Sequence, residues 1–188
     1  MNLTEPELTA LRTLLDKQEI HDLLMRYCRA SDRNDIELLA TTFWPEALDE
    51  HGPYTSTTAE MLARRRALAD DGGPMRLSFT QHNVCNEYVT IDGDTACSET
   101  YFVSYHGCEK EGVRQLYVFG GRYVDRVERR GREWRYLHRL VVCDWEGMQP
   151  VTAGFWWPSP WARGLPSTDD PVYRVWPQTA DDAPPAVP

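Results

Sequence analysis

Apolar residues recur at helical spacing over residues 5–30. Leu8, Leu11, Leu15, Leu23 and Tyr27 follow one another at intervals of three, four, eight and four, which keeps them on one stripe. Thr4 ahead of Pro6 and Glu7 supplies a start signal, because a hydroxyl can cap free amides and proline is tolerated in a first turn. The polar run Ser31-Asp32-Arg33-Asn34-Asp35 breaks the pattern. A short helix is predicted over residues 36–43 and a third over 58–69, the latter ended by Asp70-Asp71-Gly72-Gly73-Pro74.

After Pro74 the period changes. Residues 79–91 and 95–105 flank Asp92-Gly93-Asp94, and residues 115–127 and 134–143 flank Arg129-Arg130-Gly131-Arg132, so two hairpins are predicted. Helices followed by a meander of long strands point to a segregated α+β fold rather than alternating βαβ units. From Trp145 onward the chain turns rich in proline and tryptophan, with Phe155-Trp156-Trp157-Pro158-Ser159-Pro160-Trp161 at its centre. Proline excludes a regular ladder or helix there, yet so many large rings need cover, so an ordered segment packed on the body is expected. Residues 181–188 read as a disordered tail. The organisation expected is a domain over residues 1–148 and an aromatic, proline-rich extension over 149–188.

Composition narrows the function classes. With 41% hydrophobic residues the 188-residue chain can bury one sizeable core, which excludes wholesale disorder. A formal net charge of -9 argues against a nucleic-acid partner, since phosphate binding needs clustered cations. The one basic run, Arg64-Arg65-Arg66, reads as the solvated face of a helix. No apolar stretch approaches a membrane span, and residues 1–16 lack a secretory pattern, so cytoplasm is the expected compartment. Cys28, Cys85, Cys97, Cys108 and Cys143 are odd in number and form no C-x-x-C pair, which supports neither zinc nor a disulfide framework. The 7 Trp and 9 Tyr can either line a pocket for a ring-shaped ligand or simply fill the core.

The segment from Gln18-Glu19-Ile20-His21-Asp22 to Ser31-Asp32-Arg33-Asn34-Asp35, then Phe43-Trp44-Pro45-Glu46-Ala47, resembles the opening of SnoaL-like domains of the nuclear transport factor 2 superfamily. Gly121-Arg122-Tyr123-Val124-Asp125 through Trp134 to Arg139 is similar to that family's last hairpin. The resemblance implies a cone-shaped α+β barrel: N-terminal helices packed in a strongly curved mixed β-sheet that encloses one pocket. Within the superfamily the pattern is most similar to scytalone dehydratase, hexachlorocyclohexane dehydrochlorinase and bile-acid dehydratase. The resemblance implies a paired base made of Asp32 at the end of the first helix and His82 on the first long strand, with Arg139 on the last strand. It also puts His106 near a second pocket histidine. Ser31 stands where scytalone dehydratase has a tyrosine, and Tyr27 is the nearest phenol.

These residues suit removal of H–X across two carbons. An imidazole can take a proton at neutral pH, a carboxylate can fix its tautomer, and a guanidinium can stabilise a departing anion or an enolate oxygen. His82 is expected as base, Asp32 as its partner and Arg139 as charge stabiliser. Tyr27, Trp44, Tyr54, His106, Trp145, Phe155 and Trp157 are expected to contact substrate, the last three as parts of a lid or of a subunit interface. His21, His51 and His138 read as structural or surface groups. The expectation is a cofactor-independent lyase of aromatic-compound catabolism acting on a small hydrophobic aromatic, alicyclic or polyketide-like substrate. It would use no metal, have no nucleic-acid or membrane partner, and form a homo-oligomer, a trimer rather than a dimer. Elimination of water comes first, with loss of halide or of a carbon fragment open beside it. A ketosteroid-isomerase-like isomerase and a non-catalytic binding or assembly module are the other readings, because fold does not fix function.

Overall fold

The computed structural model describes residues 3–71, 76–110, 112–151 and 162–175. Helix α1 spans Glu5–Asp32, and its start is held by Glu7, whose carboxylate accepts from the Thr4 amide and hydroxyl at 2.7 and 2.8 Å. Its buried stripe begins only at Ile20 and continues through Leu23, Leu24, Tyr27 and Cys28. Leu11, Leu14 and Leu15 are exposed, so the upstream half of the periodic stripe is not core. The division falls at Asp16, which accepts from Arg129 at 2.6 Å and from the Trp134 indole at 3.1 Å. Those residues flank the last hairpin, and the helix passes over the end of the sheet there.

Asn34, at φ 48, turns the chain into the short helix α2, Ile36–Ala40, where the Asp35 carboxylate caps the Leu38 amide at 3.0 Å. The helix ends three residues earlier than periodicity predicts. The Thr41 and Thr42 hydroxyls bond back to the Leu38 and Leu39 carbonyls, and Phe43 opens strand β1, Phe43–His51. Strand β2, Tyr54–Thr57, returns beside it and leads into helix α3, Thr58–Asp71. β1 and β2 carry too many acidic and polar residues for the strand pattern to mark them, and neither was legible from alternation.

Strands β3 (Arg76–Asp92), β4 (Thr95–Lys110), β5 (Val113–Arg130) and β6 (Glu133–Pro150) form the expected meander, each longer than its apolar run. The single six-stranded sheet is ordered β2-β1-β6-β5-β4-β3, with β1 parallel to β6 and the other neighbours antiparallel. The sheet is mixed, curved and open, with α1 lying on β3 and β6 and α3 on β1 and β2. Between helices and sheet lies the core of Ile20, Leu23, Tyr27, Phe43, Phe102, Tyr123, Val127 and Tyr136.

Trp145 is a strand residue rather than the start of an irregular segment: it pairs with Gly120 in the β5–β6 ladder and is 51% exposed. Of the extension, residues 149–151 at the end of β6 and residues 162–175 are described, the latter including the short helix α4, Pro171–Val175. This piece docks on the α1–α2 turn through Arg33–Asp170 at 3.3 Å and a 2.7 Å bond from the Tyr173 hydroxyl to Asp35. Arg29 stacks over the Tyr173 ring. Phe155, Trp156, Trp157, Trp161 and the tail 181–188 lie outside the described residues. Among the described residues no helix is long and apolar enough to cross a membrane.

Candidate active site

Asp32 is the last residue of α1 and His82 stands midway along β3. The Asp32 carboxylate accepts twice from His82, at 2.6 Å from ring Nδ1 and at 3.1 Å from the backbone N–H. An ionised carboxylate can only accept, so Nδ1 is the ring's donor toward Asp32, and the neutral ring in that tautomer carries its lone pair on Nε2. The backbone bond fixes the carboxylate to the strand as well as to the ring, so the imidazole is held in direction as well as in tautomer. Both side chains are largely buried, His82 9% and Asp32 14% exposed, leaving a small open face.

The surroundings are rings and small hydroxyls. His106 and Tyr27 meet the His82 ring edge-on at centroid distances of 6.0 and 6.5 Å. Ser104, directly opposite His82 in the β3–β4 ladder, bonds to His106 Nε2 at 3.1 Å. Burial and the neighbouring His82 push the His106 imidazole down to about 4, so it is neutral at neutral pH. Tyr27, His82, His106 and Asp32 are therefore brought together.

Arg139 takes a different position from the expected one facing the dyad. It is 0% exposed, with its guanidinium about equally close to the faces of Tyr27, Tyr123 and Tyr136, at 4.0, 4.1 and 4.0 Å. Asp125 grips it twice, from Nε at 2.8 Å and from Nη2 at 2.7 Å, while Nη1 has no hydrogen-bond partner. Burial opposes the charge, but Asp125 beside it keeps the guanidinium protonated. Direct contact with a leaving group is thus not available to it in this arrangement; its cation lies beneath the Tyr27 ring.

Three expected contact residues are not gathered at the dyad. Trp44 donates its indole N–H to the Glu128 carbonyl at 3.0 Å and is flanked by Arg130 and Arg135. Tyr54 is 52% exposed beneath Arg64, and Trp145 lies on the ladder at Gly120. Arginines claim the Trp44 and Tyr54 rings, and the Trp145 indole lies against Gly120 of β5. Phe155 and Trp157 fall outside the described residues.

Asp49 was passed over in the sequence, where His51 reads as a structural or surface group and Arg65 as part of a solvated helix face. Residues Ala47, Asp49 and His51 alternate on one face of β1, and Asp49 is 3% exposed beside Arg139 in the parallel ladder. Burial raises the Asp49 carboxyl, with Arg139, Arg65 and Arg64 opposing. His51 is depressed to about 3 by burial first and then by Arg65, Arg139 and His82. The alternating Ala47-x-Asp49-x-His51 was the available signal; without a strand assignment it carried no direction. Among the described residues no group of His, Cys, Asp and Glu side chains gathers as metal ligands would.

The SnoaL-like domain model matches residues 12–140. The chain is similar to the structure of a type 3 hexachlorocyclohexane dehydrochlorinase from Novosphingobium barchaimii, with a TM-score of 0.64 and 19% identity, covering 80% of this chain and 99% of that one. It is similar also to a protein assigned as a scytalone dehydratase from Novosphingobium aromaticivorans, with a TM-score of 0.62 and 21% identity over 75% of this chain and 92% of that one. A third likeness, with a TM-score of 0.57 and 20% identity over 71% and 92% of the two chains, is to a beta subunit assigned to an aromatic-ring-hydroxylating dioxygenase of the same organism. At these identities the likenesses show the fold. No curated protein matches the chain by sequence.

Proposed function

We propose that this chain, which belongs to the SnoaL-like domain family, is a cofactor-independent lyase that eliminates water from a small hydrophobic aromatic or alicyclic substrate. The observation that carries this reading is the double hold of Asp32 on His82, at 2.6 and 3.1 Å. It leaves Nε2 of a neutral imidazole as the free base at the open face. Two of the similar structures bear names of enzymes that remove water or hydrogen chloride, which fits the same proton abstraction.

In the reaction proposed, His82 Nε2 takes a proton from the carbon beside an electron-withdrawing group. The C–H electron pair forms the new double bond and the C–O bond breaks. The imidazolium then returns its proton to the departing oxygen, so the products are an alkene and water and the base is regenerated. Asp32 stabilises the imidazolium while it exists. Arg139 contributes through its field beneath Tyr27, favouring the electron-rich transition state without touching it. Loss of halide, or of a carbon fragment, would begin from the same proton transfer.

The test is a panel of cyclic β-hydroxy ketones with aromatic or alicyclic rings, followed by the ultraviolet absorbance of the conjugated product. The expected result is turnover by the native chain and a loss of about a hundredfold or more in His82→Gln. Turnover that survives unchanged in His82→Gln, or a panel with no conversion at all, overturns the lyase reading and moves the site to ligand binding.

A further inference from the structure

Asp32 is the last residue of α1, where the helix carbonyls run out of partners and carry a partial negative charge. A carboxylate is disfavoured at that end and the final turn frays, so its direction needs support from outside the helix. On one side the Thr80 hydroxyl of β3 reaches the Ser31 carbonyl at 3.4 Å. On the other stands the C-terminal piece. The buried Asp170 carboxylate lies 3.3 Å from Arg33 Nε, and the same guanidinium donates from Nη1 to the Asp32 carbonyl at 3.5 Å. Arg33 Nε is buried and has no hydrogen-bond partner among the described residues, so the ion pair with Asp170 is what offsets its charge. Asp170 is itself fixed by the Leu165 and Val172 amides at 2.8 and 2.9 Å. Burial opposes its charge, but those amides and Arg33 hold the carboxyl below its usual range. Beyond Asp32, the Asp35 carboxylate accepts from the Tyr173 hydroxyl, 138 residues away, at 2.7 Å while it caps α2.

We infer that Asp170 and Tyr173 are positioning residues: by clamping Arg33 and Asp35 they hold the Asp32 carboxylate in line with the His82 ring, and so keep Nε2 the basic nitrogen. The chain of contacts is continuous, from Asp170 through the Arg33 guanidinium to the Asp32 backbone, and from there to His82 Nδ1 at 2.6 Å. A bond that short does not survive a displacement of about an ångström, and misplacement on that scale costs a catalytic group up to about a hundredfold. A neutral imidazole released by its carboxylate distributes its proton over both nitrogens, so fewer rings present a lone pair at Nε2. The inference rests on the reading of His82 as the base, but the ring nitrogens are observed without turnover, so either can fail alone.

The experiment reads the His82 ring nitrogens by heteronuclear NMR of the isotope-labelled full chain at about pH 8, above the usual imidazole range, with signals assigned by their loss in His82→Gln. The native chain should show one nitrogen of the protonated type and one of the lone-pair type. Asp170→Asn should move both toward the averaged values of an untethered ring. Tyr173→Phe, which removes a single hydroxyl, should move them the same way by less. Asp169→Asn makes the same charge change on the exposed neighbour and should leave them in place. On a hydroxy ketone that the native chain converts, Asp170→Asn should lower kcat about tenfold with KM unchanged, and add no further loss to Asp32→Asn. Averaged nitrogens in the native chain, or native-like nitrogens or kcat in both variants, overturn the inference; should Asp170→Asn fail to fold, Tyr173→Phe decides alone. A chain that converts no hydroxy ketone, yet loses its ring asymmetry in Asp170→Asn, would sink the lyase and leave the clamp standing.

Discussion

Asp125 stands directly opposite Arg139 in the β5–β6 ladder and accepts from it twice, at 2.7 and 2.8 Å, with both side chains essentially sealed from water. On the other side of Arg139, Asp49 occupies the matching position of β1, and Ser98 approaches Asp125 from β4 at 3.5 Å. A charged row thus crosses the inner face of the sheet under the aromatic core. Breaking it from one side leaves an uncompensated charge in the interior. Asp125→Asn is expected to destabilise the chain by about 3–5 kcal/mol, the range for a buried pair deprived of one partner. Arg139→Met combined with Asp125→Leu should recover a large part of that loss. Urea denaturation of the single and double variants checks both statements.

The tautomer argument for His82 can be examined without substrate. The Nδ1 proton sits in a 2.6 Å contact with Asp32, and such a proton exchanges slowly and resonates far downfield. Proton NMR should show that signal in the native chain. Asp32→Asn should abolish it, and should lower turnover on any substrate found by at least about a hundredfold, because the ring loses both its orientation and the partner of its charged form.

His51 and His106 carry a pH dependence with a definite sign. Their imidazoles are depressed from 6.5 to about 3 and about 4, each chiefly by burial. In the unfolded chain both bind protons below about 6.5, while the folded chain resists until much lower pH. Stability is therefore complete above that value and falls as pH decreases through the window from about 6.5 to 4, by up to about 1.4 kcal/mol per pH unit for each group. His106→Gln should flatten the fall. Imidazole NMR titration should show neither ring gaining a proton between pH 8 and 5, about the range over which an ordinary histidine titrates.

Gly120 and Gly121 sit together at a register shift of the β5–β6 pair, and their side-chain positions meet different obstacles. A methyl at Gly121 would run into the Val142 carbonyl, which is backbone and cannot give way without disturbing the ladder. A methyl at Gly120 would meet the Trp145 indole, a side chain that can swing aside. Gly121→Ala is expected to cost roughly 1–3 kcal/mol of stability, Gly120→Ala less. The second substitution should instead shift Trp145 fluorescence; equal destabilisation by the two would contradict the assignment.

Local pattern alone determined a good deal. The long first helix, the four-strand meander and its two hairpin turns follow from period and turn chemistry, both properties of neighbouring residues. The polar break at Ser31-Asp32-Arg33-Asn34-Asp35 marked the end of α1, because short polar side chains compete with the helix for backbone bonds. Family resemblance added the pairing of Asp32 with His82 as an expectation, and these residues, 50 apart in sequence, do meet. Tertiary structure decided what periodicity cannot encode. The parallel docking of β1 against β6 turned an acidic, unpromising run into a strand paired on both sides, and so carried Asp49 inward beside Arg139. Packing of α3 on that strand put Arg65 on the helix's buried stripe, while Arg64 bonds to Ser56 and Arg66 to Glu37, a distinction that depends on which face finds a partner. The same long-range pairing drew Arg139 into the core with Asp125, since a charge so far from water is stable only where an opposite charge already waits.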